Sequence, residues 1–262
     1  MDFKVNKLAN GAKIAANENG MENGIVNGSN SFIEKLSISA NGREVYICNY
    51  GNHVVNIKKL LEYNPSYAES VATNEFYFLD TTISAEERPA RATYNKGFPM
   101  RKLLLGASAT VNCEIPLNRY SFFEALEDKL LPNTKIELNI EIEKDANLIF
   151  QAADNCRVHL TRLQLFIPKL TFNSEGQKLY MENYLKPYKW TYLNEVIERS
   201  NNSQQQTGHF RITNAISKPH HVFVFGIHTA RIDSQTANPF LYDTFKTKNG
   251  YKRWCYKTSV SL

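Results

Sequence analysis

Long apolar runs are missing from this 262-residue chain: nothing approaches the roughly eighteen consecutive apolar residues of a membrane-spanning helix. The opening residues, MDFKVNKLANGAKIAANENG, also lack the apolar centre of a secretory leader. The chain therefore reads as a soluble protein made in the cytosol and not secreted, and the sequons at Asn27 and Asn201 carry no weight. Cysteine is scarce as well. Cys48, Cys113, Cys156 and Cys255 are scattered, with no CxxC pair and no metal-type spacing, which excludes a disulfide scaffold or a zinc ribbon. Three of the four sit in apolar or alternating stretches and read as small buried hydrophobes in a reducing compartment.

Charge of one sign is equally modest. Lys and Arg number 31 against 26 acids, a net +5. The densest basic stretch, Arg88, Arg91, Lys96, Arg101 and Lys102, lies beside Glu86 and Glu87 and reads as a solvated loop. A nucleic-acid reader needs a basic face, so no specific nucleic-acid partner is expected, only weak attraction to phosphate polymers.

Catalytic motifs are absent too. There is no P-loop, no H-E-x-x-H and no G-x-G-x-x-G. The hydrolase elbow G-x-S-x-G is approached at Gly106-Ala107-Ser108-Ala109-Thr110, but the second glycine is missing and no helix is expected after it, so Ser108 reads as part of a small-residue bend. His209, His220, His221 and His228 cluster in sequence, yet two ligands on one face of a strand need i, i+2 spacing, and none of these pairs has it. The acid pairs Glu86/Glu87 and Glu127/Asp128 fall on a loop and a helix that should be solvated, where no apolar setting raises a carboxyl pKa. The aromatic groups Phe76-Tyr77-Phe78 and Tyr184, Tyr188, Trp190 and Tyr192 fit core packing better than stacking on a sugar or base. Catalytic, cofactor-binding and metal-binding residues are all expected to be none, and no cofactor is expected.

What is present points to a β protein. The length fits one large domain or two small ones. The composition is 42% hydrophobic, with 15 Phe and 14 Tyr, which rules out disorder and favours strands. Residues 1–30 are rich in Asn-Gly pairs and read as a flexible arm. SFIEKLSIS and REVYICNY flank Ala40-Asn41-Gly42, the strongest short-range hairpin signal. VNIKKLLEYNP predicts a helix with Asn56 as N-cap, an apolar side of Ile57, Leu60 and Leu61, and a stop at Asn64-Pro65. Ser66/Glu69 and Ser121/Glu124 have capping-box spacing, the second opening a helix through Leu130. EFYFLD, Leu103–Leu117 and NLIFQA are expected strands. KIELNIEIE alternates cleanly, with Ile136, Leu138, Ile140 and Ile142 inward and the acids outward. In VHLTRLQLFIP the apolar phase changes after Leu160, which predicts a bulge. A short helix is expected near Met181–Leu185, and SNNSQQQT reads as a linker. Strands joined by connections with short helices predict an all-β jelly-roll sandwich.

The series SFIEKLSISANGREVYICNYGNHVVNIKKLL, FYFLDTT, NKGFPMRKLLL and IPLNRYSFFEALEDKLLPNTKIELNIEIEKDANLIF resembles the first half of double jelly-roll major capsid proteins of Polinton/Maverick elements and adintoviruses. KPHHVFVFGIHTARIDSQTANPFLYDTF is similar to the start of that family's second roll. The resemblance implies a flexible arm at 1–30, a first roll at 31–200, a polar linker at 201–208 and a partial second roll at 209–262, since only about 54 residues follow residue 208. It implies a structural, non-enzymatic capsid-like protein derived from a virus-like mobile element, truncated or domesticated. Such a protein self-associates, as trimers in intact relatives, or joins other capsid-like subunits, without membrane partners, in the cytoplasm, nucleus or virion. The alternative from the residues alone is a jelly-roll binding module for carbohydrate or protein, drawing on the aromatic cluster at 184–192.

Overall fold

The computed structural model describes residues 1–7, 11, 13, 24–25, 28–79, 97–127, 129–131, 134–150, 156–184, 191–197, 199, 222–223, 225–227, 229–234, 238–240, 242, 246–247, 250–251 and 255–256. Its strands are Asp2–Lys7 (β1), Gly24–Ile25 (β2), Ile33–Ala40 (β3), Arg43–Asn49 (β4), Val111–Asn112 (β5), Ile136–Ile142 (β6), Ile149–Phe150 (β7) and Cys156–Arg162 (β8). Four two-residue strands follow, Val222–Phe223 (β9), Lys246–Thr247 (β10), Gly250–Tyr251 (β11) and Cys255–Tyr256 (β12). The helices are Gly51–Glu62 (α1), Pro65–Glu69 (α2), Gly97–Leu104 (α3), Ser121–Glu124 (α4), Asp145–Leu148 (α5) and Ser174–Tyr184 (α6). Among the described residues, none is long and apolar enough to cross a membrane.

Two antiparallel three-stranded sheets, ordered β5-β1-β8 and β4-β3-β6, form the scaffold. The β3–β4 hairpin follows the Asn41-Gly42 signal: both residues have positive φ (51° and 78°), as a two-residue hairpin loop of the primed kind requires. Lys135 fixes that loop, because its backbone exchanges hydrogen bonds with Asn41. β6 pairs with the other side of β3 and keeps the expected alternation as far as Ile140; Ile142 is exposed. In the second sheet the predicted bulge is present. Phe3 faces Leu160 and Asp2 faces Arg162, so Thr161 is the extra residue.

Each sheet has its own core. Leu36, Ile38, Tyr46 and Cys48 of the hairpin pack with Val55, Tyr120 and Phe122. Phe3 and Val5 of β1 pack with Phe32, Phe76, Val111 and Cys156 in the other. The cores meet where Phe32 belongs to one and Ile33, the next residue, to the other. Cys48, Cys113 and Cys156 are buried, as small hydrophobes should be.

Several expectations are corrected. The short helices expected in the connections are present, but the architecture is mixed, with two small three-stranded antiparallel sheets rather than an all-β sandwich. Residues 2–7, placed in a flexible arm by composition, are the middle strand of a sheet, because Phe3 and Val5 are both fully buried on one face. Helix α1 begins at Gly51, not Asn56; a Cβ at Gly51 would lie 3.0 Å from the Tyr120 ring, so a larger residue there would require the ring to shift. Asn64, not Ser66, caps α2 by accepting from Tyr67 N, with Pro65 in the first turn. Ser121 caps nothing and α4 spans four residues, because the Ser121 hydroxyl is drawn to Glu195 instead. The described part of EFYFLD, residues 75–79, forms no strand: Phe76 adopts a left-handed conformation at the end of a 3-10 turn. Leu103–Leu117 contains the end of α3, a 3-10 turn and only the two residues of β5. Of NLIFQA, the first two residues end α5 and Ile149–Phe150 form β7, while residues 151 and 152 lie outside the described residues. The short helix expected near Met181–Leu185 is the end of a longer one, α6, which reaches Tyr184, while Leu185 lies outside the described residues.

Candidate functional site

Helix α1 is turned against its own sequence pattern. Its buried residues are Gly51, Asn52, Val55, Asn56 and Lys59, while Leu60 and Leu61, expected inward, are more than half exposed. Positions 52, 55, 56 and 59 recur at helical spacing, so they form one stripe, and that stripe is mainly polar. Its side chains reach four distant parts of the chain.

Lys59 is the most demanding of them, because it is only 2% exposed. Burying an unpaired ammonium costs several kcal/mol, so a partner is obligatory. Glu75 supplies it, with Oε2 2.5 Å from Nζ. Glu75 in turn accepts from Tyr63 Oη at 2.8 Å and Tyr67 Oη at 3.2 Å. The rings of Tyr63 and Tyr77 lie 5.5 and 5.1 Å from the ammonium, within cation–π range. Burial pulls the Lys59 pKa below the ordinary lysine range, and the Glu75 charge opposes that pull. Burial, then the Glu75 hydrogen bond, pushes the Tyr63 phenol up. Arg119 closes the cluster, stacked 4.7 Å from the Tyr63 ring and 3.0 Å from Glu62.

Lys58 builds a second centre on the neighbouring face. Its Nζ lies 2.6 Å from Glu195 Oε1 and donates to Arg119 O at 2.9 Å. Glu195 also accepts from Ser121 Oγ at 2.6 Å and from Tyr46 Oη. Tyr192, three residues earlier, donates to Val45 O and packs on Tyr46 and Phe122. Together they strap residues 191–197 to the β3–β4 hairpin. Burial and the Glu195 charge push the Cys48 thiol up to about 12, so it stays protonated and inert at neutral pH.

The first turns of α1 hold two more segments. Tyr242 Oη accepts from Asn56 Nδ2 at 3.3 Å and lies 3.2 Å from His53 Nδ1, while Phe240 and Phe225 pack on the same imidazole. Burial, then the Arg199 charge, lowers the His53 pKa to about 4. Asn52 Nδ2 donates to Glu143 Oε2 at 2.6 Å, and Glu143 accepts from Asn147, whose Oδ1 binds the backbone N–H of Asp233. This arrangement is one of attachment: each ionisable group is spent on a side chain of the same chain.

The residues singled out in sequence fare differently. Ser108 follows Ala107 in a turn where both have positive φ, between α3 and β5. That is the reverse of the strand–turn–helix order a nucleophile elbow requires. Among the described residues, no group of three His, Cys, Asp or Glu side chains converges as a metal site would. His209, His220, His221, His228, Glu86, Glu87, Asp128, Tyr188, Trp190 and the Tyr184 side chain lie outside the described residues. Tyr192 is engaged in the hairpin core. Sequence reasoning missed Lys58, Lys59, Glu75 and Glu195. The one signal was Lys59 itself, four residues after Val55 and therefore on its face of the helix. No family model matches this chain, and no curated protein or solved structure matches it.

Proposed function

We propose that this chain is a structural, non-enzymatic protein of the double jelly-roll capsid type, whose two sheets belong to the first roll and whose subunits associate with one another or with similar subunits. One observation carries the reading. After β8 the chain has no regular element until α6, and Leu163, Leu165, Phe166, Ile167 and Leu170 are all more than half exposed, with Phe166 at 82%. A contiguous apolar stretch of this kind marks an interaction surface. The exposed Leu60 and Leu61 of α1 add a second apolar area. Among the described residues, β4 and β6 form the two outer edges of their sheet, and free edges are what shell proteins cover by contact with neighbours. A carbohydrate-binding module is less well supported, since Tyr192 is committed to the interior.

Light scattering coupled to size exclusion, over a tenfold dilution series, tests the proposal. Association into trimers or larger species, dissociating on dilution, is expected. A monodisperse monomer at every concentration overturns it.

A further inference from the structure

Asn30 sits on the 3-10 turn Ser29–Phe32, immediately before the junction of the two cores, and is only 3% exposed. Its side chain has a donor and an acceptor, and neither Oδ1 nor Nδ2 has a hydrogen-bond partner. Two more polar atoms nearby are short of partners. Tyr120 Oη, fully buried, lies beside the Asn30 side chain, which acts on it as a hydrogen-bond donor would, but the two are not aligned as a hydrogen bond. Lys59 Nζ contacts the Glu75 carboxylate but has no aligned hydrogen bond, and an ammonium carries three N–H groups. A buried polar atom left in this state forfeits the hydrogen bonds it made to water, which works against folding. Asn30 and Lys59 line one small cavity, together with Ser31, Asn52, Asn56 and Tyr77. Its volume is about 10 Å³. That is close to the minimum that accommodates one water molecule, roughly 10–15 Å³, and a buried water needs two to four polar partners.

We propose that this cavity is a built site for a single structural water, which donates to Asn30 Oδ1 and accepts from Lys59 Nζ. The size excludes any organic ligand. A metal cation is disfavoured beside an ammonium, and a chloride gains little because Glu75 already neutralises Lys59. The water joins the turn at the boundary of the two cores to the polar stripe of α1. It completes the hydrogen bonding of a lysine that the chain has turned inward, and it does so independently of any assembly role.

Magnetic relaxation dispersion of water oxygen-17, with water–protein NOE spectra of the full chain, tests the site. Wild-type protein is expected to show a water cross-peak to the Asn30 side-chain amide whose sign indicates nanosecond or longer residence. Asn30→Leu, which removes both polar atoms and fills space, is expected to lower the dispersion amplitude by one water. Asn30→Asp, which keeps an acceptor, is expected to retain it. An unchanged amplitude in Asn30→Leu overturns the proposal. Absence of the cross-peak in wild type overturns it even where the variant does not fold. A chloride titration that shifts the Asn30 amide resonances at the expense of the water signal overturns it in favour of an anion.

Discussion

The sheet-and-helix body around α1 buries a lysine to 2% exposure, whereas the segment leaving β8 holds a phenylalanine at 82%. This reverses the usual tendency, in which Phe is buried and Lys is not. The contrast comes from available partners. Lys59 has a carboxylate, two tyrosine rings and a helix that fixes its direction. Phe166 has nothing of the kind, because β8 ends at Arg162 and the following residues have no neighbouring strand among those described. A polar group with partners can be buried, and an apolar group without them stays in solvent. Among the described residues, the first region is finished within the chain and the second is not.

The strongest way to break the contrast is to remove the acid that makes Lys59 tolerable. Glu75→Ala leaves a buried ammonium uncompensated and should cost about 3–5 kcal/mol in urea unfolding. Replacing both partners with apolar residues, Lys59→Met with Glu75→Leu, should recover most of that loss, because the desolvation of both charges disappears together. A double variant as unstable as the single one contradicts this account of the pair.

Acid provides the next largest effect. His53 has an unfolded pKa near 6.5 and a folded value of about 4, so the unfolded chain takes up the proton first. The stability that this depressed pKa confers is complete above pH 6.5 and falls as the pH drops toward 4. The total is of order 3 kcal/mol, at about 1.4 kcal/mol for each pH unit between the two values. The wild-type curve minus that of His53→Phe isolates this component, since the carboxylates cancel. A difference curve that is flat between pH 7 and 4 would show that the imidazole is not held neutral by Phe240, Tyr242 and burial.

How far the body could be read from sequence follows from the range of the interactions involved. The β3–β4 hairpin, the alternation of β6 and the bulge in β8 are encoded by adjacent residues, and they were legible. β1 was not. Its signal is only Phe3 and Val5, and its central place depends on pairing with residues more than one hundred positions away. The face of α1 was read the wrong way round because Leu60 and Leu61 outweigh Lys59 on any hydropathy pattern, and only Glu75 and the tyrosines reverse the balance. EFYFLD failed for a related reason: Phe76 and Phe78 do face one core and Tyr77 another, as in a strand, but Phe76 is left-handed at the end of a 3-10 turn and none of the described strands pairs with the segment. The attachment centres, Glu195 above all, lie on segments with no periodic signal of their own.

Glu195 offers a smaller and more local test of the finished region. Glu195→Gln keeps the size of the side chain and one acceptor but removes the charge facing Lys58, and it should cost about 1.5–3 kcal/mol. The loss should be concentrated in the strap at 191–197, so native-state hydrogen exchange of that segment should accelerate more than exchange in β3 or β4. Uniform acceleration would mean that the strap and the hairpin open as one unit, which extends the finished region farther along the chain.

The smallest effect on stability should come from the unfinished region. Phe166→Ser with Ile167→Ser changes two side chains that are mostly in solvent already, so monomer stability should move by less than about 0.5 kcal/mol per site. Their effect on association should be large by comparison. Apolar side chains that pass from solvent into an interface each contribute about 1.5–3 kcal/mol, so the pair should weaken self-association at least tenfold in sedimentation equilibrium. A double variant that associates as wild type does would assign the contact to the Leu60–Leu61 face of α1 instead. A variant that loses several kcal/mol of monomer stability would show that the segment leaving β8 folds back onto its own chain in solution, and the distinction between a finished and an unfinished region would then fail.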